Sequence, residues 1–275
     1  MRVYGSRRNL TFQFVTVMWL GQITGSAQTG PCATVVVGQP LPDLIVDAQR
    51  LKSDILVSVE NFSRTACAVI EGCVKSRGSH EVLRFTSATP NVGQGDLVIG
   101  DPSSCPNLFH ESECHNHLHF KQYADYRLWT ETGYNWWVQA RDLRLPTNTG
   151  NNAALLANAV ANGDLIVGRK QGFCIIDIAP YLPNAPVQKK YTLCGGPGAP
   201  GYQGPQVGWS DVYGQQLDCQ FVEIDGLRAG IYVLEDHVNP EHLLPESNYA
   251  NNSSIVKFRY TPGKGNRPGQ LTVLN

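Results

Sequence analysis

The sequence predicts an all-β fold: a single antiparallel β-sandwich-like domain with long loops and few short helices. Three observations carry that expectation. Short runs rich in β-branched and aromatic residues recur along the chain with turn residues between them. Hydrophobic residues make up 42% and charged residues only 16%, enough apolar surface for one core and unlike a disordered chain. Only one segment, 153–161, carries a helical pattern with a recognisable stop.

Taken in order, residues 1–27 read as a secretory signal, with Arg2, Arg7 and Arg8 before an apolar stretch at 10–20 and small residues at Gly25 and Ala27. Gln13, Gly21 and Gln22 interrupt that stretch, which is shorter than the roughly 20 residues a membrane span needs. Removal of the signal and a secreted, extracellular product with no membrane attachment are therefore expected. Residues 28–42 read as a linker, 43–262 as the folded domain and 263–275 as a tail. Strands are expected at 43–48, 55–60, 81–86, 115–120, 123–129, 134–138, 173–178, 220–224, 231–236 and 254–260. The helix at 153–161 is closed by Asn162-Gly163, where a left-handed residue is wanted. Glycines at 195, 198, 201 and 204 mimic a collagen register, but four triplets cannot sustain a triple helix. The stretch 195–208 reads instead as a long, untethered irregular loop leading to Tyr213.

The net charge of −1 becomes −4 without the signal, which holds three arginines and no acids. A mildly acidic surface argues against a nucleic-acid partner. Eight cysteines, at 32, 67, 73, 105, 114, 174, 194 and 219, all follow the signal; an even number in an exported chain favours disulfides, and their spacing is not that of a zinc finger.

The run Cys114-His115-Asn116-His117-Leu118-His119 holds the strongest chemical signal. In a strand, alternate side chains leave the same face, so His115, His117 and His119 would offer one metal ion three nitrogens. Cys114 would leave the opposite face. Neutral imidazole suits copper and zinc alike, so the residues alone leave both open.

Four segments point further: Cys-His-Asn-His-Leu-His at 114–119, Gly-Arg-Lys-Gln-Gly-Phe-Cys at 168–174, Asp-Val-Tyr-Gly-Gln-Gln-Leu-Asp-Cys-Gln at 211–220, and Val-Asn-Pro-Glu-His-Leu-Leu-Pro-Glu-Ser-Asn-Tyr-Ala-Asn-Asn at 238–252. In this order they resemble the catalytic domain of the lysyl oxidases, over about residues 43–260. The resemblance implies copper on His115, His117 and His119, and a lysine tyrosylquinone made from Lys170 and Tyr213. It implies a copper-dependent amine oxidase that uses dioxygen to convert peptidyl-lysine or small primary amines to aldehyde, releasing ammonia and hydrogen peroxide. It also implies the disulfides Cys67–Cys114, Cys73–Cys219 and Cys174–Cys194, and leaves Cys32 and Cys105 to pair with each other.

The family resemblance leaves the base unassigned. Asp125 stands where animal lysyl oxidases carry a histidine and is a weak candidate base. His110 is a weaker candidate ligand than the other three histidines. Trp136 and Trp137 lie in an insertion at 131–164 and are candidates for a substrate groove, although aromatic residues more often pack. Two other functions compete: an extracellular copper-binding β-sandwich without the quinone, which has no need of both Lys170 and Tyr213, and a zinc hydrolase with three histidines and a metal-bound water, which leaves those two residues unexplained.

Overall fold

The computed structural model describes residues 38–170, 172–265 and 267–274. The expected signal lies outside them, as does most of the linker. In chain order the elements are α1 (Ala48–Ser53), β1 (Leu56–Phe62), α2 (Cys67–Ile70), β2 (Gly78–Arg84), β3 (Ser87–Pro90), a 3-10 turn (Pro102–Ser104), β4 (Phe109–Glu111), β5 (Leu118–Lys121), β6 (Ala124–Thr130), α3 (Glu131–Ala140), α4 (Gly150–Asn162), β7 (Leu165–Val167), β8 (Gly172–Phe173), β9 (Ala179–Pro180), β10 (Leu193–Gly196), β11 (Ala199–Tyr202), β12 (Trp209–Tyr213), β13 (Phe221–Glu223), β14 (Gly230–Val238), β15 (Ser253–Thr261) and β16 (Gln270–Val273).

Every strand pairing is antiparallel, and the all-β expectation holds. The largest sheet runs β16-β15-β14-β6-β7. Three sheets of three strands, β1-β2-β13, β3-β12-β9 and β4-β5-β8, pack around it, and β10-β11 forms a separate hairpin. Strand β6 is buried on both faces because it is sandwiched. Tyr126 and Leu128 enter the main core with Phe85, Phe120 and Phe173, while Trp129 faces a second cluster with Trp137, Leu165 and Val233. On that second side the Trp129 and Trp137 rings stack with centroids 5.5 Å apart.

Three local expectations are corrected. Residues 134–138 belong to helix α3, not to a strand. The Thr130 hydroxyl caps that helix by accepting from the Gly133 amide at 3.0 Å, and Glu131 sits in the first turn, where a negative charge suits the helix dipole. The Gly/Pro stretch is no irregular loop: β10 and β11 pair across the two-residue turn Pro197-Gly198, with Gly198 at φ 71°. Nor is it untethered, because the Gln203 side chain, 0% exposed, donates to the Leu118 and Cys194 carbonyls and accepts from the Ile175 amide. Finally, 173–178 pairs only at Gly172–Phe173 and then runs as extended chain beneath β12.

Candidate functional site

The strand reading of the histidine run is also corrected. Strand β5 begins only at Leu118, so His115 and His117 sit on a turn in which Asn116 takes φ 53°. Asn tolerates that left-handed conformation better than most residues. The turn still converges the rings: one nitrogen from each of His115, His117 and His119 lies within 4.8 Å of the others. Nε2 of His117 and Nε2 of His119 are 2.9 Å apart, and the His115 ring stacks on His117 at 5.5 Å. Burial holds His117 below the ordinary imidazole value and His119 down to about 2, the neighbouring Lys170 adding to the second effect. Burial thus disfavours the charged forms of His117 and His119 and favours the lone pairs a cation would use.

His115 is oriented from behind. Its Nδ1 lies 3.0 Å from the Ser112 hydroxyl, which donates a short hydrogen bond to the Glu71 carboxylate. A Glu71 oxygen also lies 3.6 Å from the same Nδ1. A carboxylate behind one ring nitrogen fixes the tautomer and leaves the other nitrogen for a metal. Cys114, next in line, is bonded to Cys67.

Lys170 comes to the histidines because two glycines draw its segment inward. A Cβ on Gly168 would meet Cβ of Tyr126 at 2.9 Å, and one on Gly172 would collide with the His110 ring. Lys170 is left 6% exposed, and burial lowers its ammonium below the ordinary lysine value even though Glu71, Asp218 and Asp211 favour its charge. Its Nζ lies 5.6 Å from the centroid of the Tyr213 ring and 5.2 Å from that of Phe173. The Tyr213 hydroxyl accepts from the Cys174 amide at 2.7 Å and donates to the Cys174 carbonyl at 2.9 Å. Burial, reinforced by Asp211, pushes that hydroxyl well above its ordinary value.

One cavity of about 400 Å³ collects these groups: His115, His117, His119, Lys170 and Tyr213 line it, with Ile176, Ile178, Val212 and Leu217 as an aliphatic wall and Asp211 and Asp218 as acids. A second groove, of about 560 Å³, meets the first at His119 and Lys170 and holds His110, Glu71, Glu111 and Glu113. His110 thus packs near His119, ring centroids 5.4 Å apart, but outside the three-nitrogen cluster. Cys73 pairs with Cys219 and Cys174 with Cys194. The Cys32–Cys105 expectation falls partly outside the described residues.

Asp125 is not brought to this cavity. On β6 it shares a face with Arg127, which donates to its Oδ2 at 2.8 Å, and that ion pair packs against β14. Its expected role as base is corrected accordingly. Trp136 and Trp137 do not line the cavity either: Trp137 packs on Trp129, and Trp136 is exposed. Sequence reasoning missed Asp211, Glu71 and Ser112. Asp211 was within reach, since it precedes Tyr213 by two residues and an i, i+2 pair on a strand shares a face.

Comparison with known proteins agrees with this geometry. The family model described as lysyl oxidase matches residues 156–266, a span that contains Lys170 and Tyr213. Human protein-lysine 6-oxidase is 27% identical over 231 residues, 80% of this chain and 46% of that protein. A match of that extent in a chain of 275 residues necessarily includes the histidine run. The chain is similar to the lysyl oxidases. Mouse lysyl oxidase homolog 2 is 26% identical over 83% of this chain and 26% of its own length, and pig protein-lysine 6-oxidase is 26% identical over 80% and 77%. The chain therefore spans less than half the length of the human and mouse lysyl oxidases it matches.

Proposed function

We propose that this chain is a secreted copper-dependent amine oxidase. It deaminates peptidyl-lysine, or small primary amines, to the aldehyde with release of ammonia and hydrogen peroxide, using dioxygen and a lysine tyrosylquinone built from Lys170 and Tyr213. The observation that carries this reading is that three imidazoles, a buried lysine and a partly buried tyrosine line one cavity.

The donor set fits both groups. Three imidazole nitrogens within 4.8 Å of one another suit copper, with His115, His117 and His119 as ligands, and copper there would supply the redox chemistry that oxidises a phenol in the presence of dioxygen. Lys170 and Tyr213 fit the quinone, which, once formed, supplies an electrophilic carbonyl to a primary amine. The chain's own residues do the rest. Burial lowers the Lys170 ammonium below its ordinary value and so favours the nucleophilic amine, whose Nζ lies 5.6 Å from the centroid of the Tyr213 ring. The two hydrogen bonds to Cys174 fix the orientation of that ring. Ile176, Ile178, Val212 and Leu217 exclude water and give a methylene arm an apolar surface. Asp218, 56% exposed, presents a carboxylate to an approaching ammonium group.

The test loads purified mature protein with copper under air and adds phenylhydrazine. A coloured adduct that disappears in Lys170→Ala and in Tyr213→Phe supports the reading. Copper bound without any adduct overturns it in favour of a copper-binding module, and hydrolytic activity with zinc but no adduct would favour the zinc hydrolase.

A further inference from the structure

We propose that Asp211 is the proton acceptor of the amine oxidation, taking the proton from the carbon that bears the substrate's amino group. The inference rests on the amine oxidase reading and fills the role that Asp125 cannot.

Position is the first argument. Asp211 lies on β12 two residues before Tyr213, on the same face of the strand, and lines the cavity together with Tyr213 and Lys170. It is 1% exposed, buried at the wall of that cavity.

Its bonding is the second. Other buried carboxylates of this fold are occupied by donors. Asp177 accepts from the amides of Lys190, Tyr191 and Gln206 and from the Gln206 side chain. Glu246 accepts from the Leu44 amide and from Asn239 and Asn252. Glu235 accepts from Trp129 and Arg141. The Asp211 carboxylate accepts from the Ile176 and Val212 amides, yet its Oδ2 is buried with no hydrogen-bond partner among the described residues. Leaving a buried carboxylate oxygen bare is costly unless the site uses it. Unpartnered buried oxygens also occur on Asp125, Glu223 and Asp236, but none of these three residues lines the cavity.

Chemistry is the third. A carboxylate in an apolar surrounding is a stronger base than one in water, and burial raises Asp211 well above the ordinary carboxyl value. In the step, the α C–H bond breaks, its proton passes to Oδ2, and its electron pair reduces the quinone by two electrons. Dioxygen later takes up those electrons and becomes hydrogen peroxide. The protonated carboxyl returns its proton to solvent before the next turnover.

The experiment compares wild-type protein with Asp211→Asn, both copper-loaded under air, with circular dichroism as the check on folding. Copper content and the phenylhydrazine adduct report the cofactor. Turnover of n-butylamine, and of the same amine deuterated at the α-carbon, reports the proton step. The expected result is normal copper, a normal adduct, a rate lower by roughly 10²–10⁴-fold and a deuterium effect larger than that of wild type. A normal adduct with an unchanged rate overturns the proposal. An adduct lost only in the variant also overturns it, because Asp211 would then act in forming the cofactor. Absence of the adduct in the wild type fails the amine oxidase reading itself.

Discussion

In the five-stranded sheet a buried charge meets an opposite charge, whereas at the histidine run 115–119 half-buried and buried ring nitrogens meet one another. Arg127, 0% exposed, lies between Asp125 and Glu235, and Arg141 reaches Glu235 as well. Nothing in that cluster faces the cavity. His117 and His119 turn lone pairs toward a common point, and Lys170 forms no ion pair among the described residues. The same low-dielectric surroundings therefore do two jobs: polar groups that satisfy each other hold the sheet together, and polar groups left short of partners become reactive.

Four measurements test that division, beginning with the largest effect. Arg127→Ala removes the buried cation between Asp125 and Glu235, leaving Asp125 without its ion pair and Glu235 with Arg141 alone, so urea unfolding should show a loss of roughly 3–5 kcal/mol. A loss below about 1 kcal/mol would mean that the sheet does not depend on its charge pairing. Next, Asp236 is a buried carboxylate of the sheet without a hydrogen-bond partner among the described residues, raised to about 7 by burial. A buried carboxyl held above its unfolded value favours folding while it is protonated, and that advantage is lost as pH rises from the unfolded value near 4 through 7. Stability of the wild type should therefore fall across that window by on the order of 3–4 kcal/mol relative to Asp236→Asn. Parallel thermal melts from pH 4 to pH 8 would contradict it.

On the cavity side, Ser112→Ala removes the link between Glu71 and His115. Copper affinity, read by chelator competition, should fall roughly 10–100-fold with little change in stability. Unchanged affinity would show that His115 needs no support from behind. Smallest of all, Gly163→Ala asks an L-residue to adopt φ 77° at the end of α4, in open space. A stability cost of roughly 1–2 kcal/mol with copper binding intact is expected. A change in copper affinity there would mean that the helical layer and the cavity are coupled.

Much of this division was legible in the residues, though not always for the right reason. Strands β1, β6, β14 and β15 announce themselves through β-branched and aromatic runs, and the Gly163 helix stop through its cap chemistry. The histidine run drew attention through a strand period that it does not have; the turn at Asn116 brings the rings together by another route. Residues 134–138 are too short an aromatic run for periodicity to separate strand from helix, and Thr130-Glu131 was the signal that decides it. Pro197-Gly198 was read as part of a loop when it is the turn of a hairpin. Glu71 carried no local signal, since it meets Ser112 from 41 residues away. Asp125 looked plausible because it follows the histidine run closely in sequence, and only the sheet register shows that it faces Arg127.

Each described disulfide ends at a wall of the cavity: Cys114 adjoins His115, Cys219 adjoins Asp218, and Cys174 and Cys194 are lining residues themselves. None of them crosses the five-stranded sheet. How the protein is made and stored therefore matters unequally to its two halves. Material produced in a host that keeps thiols reduced, or kept in dithiothreitol, should retain its scaffold while its histidine turn and tyrosine strand drift apart. A preparation can then look properly folded by its sheet content and still be unable to take up metal.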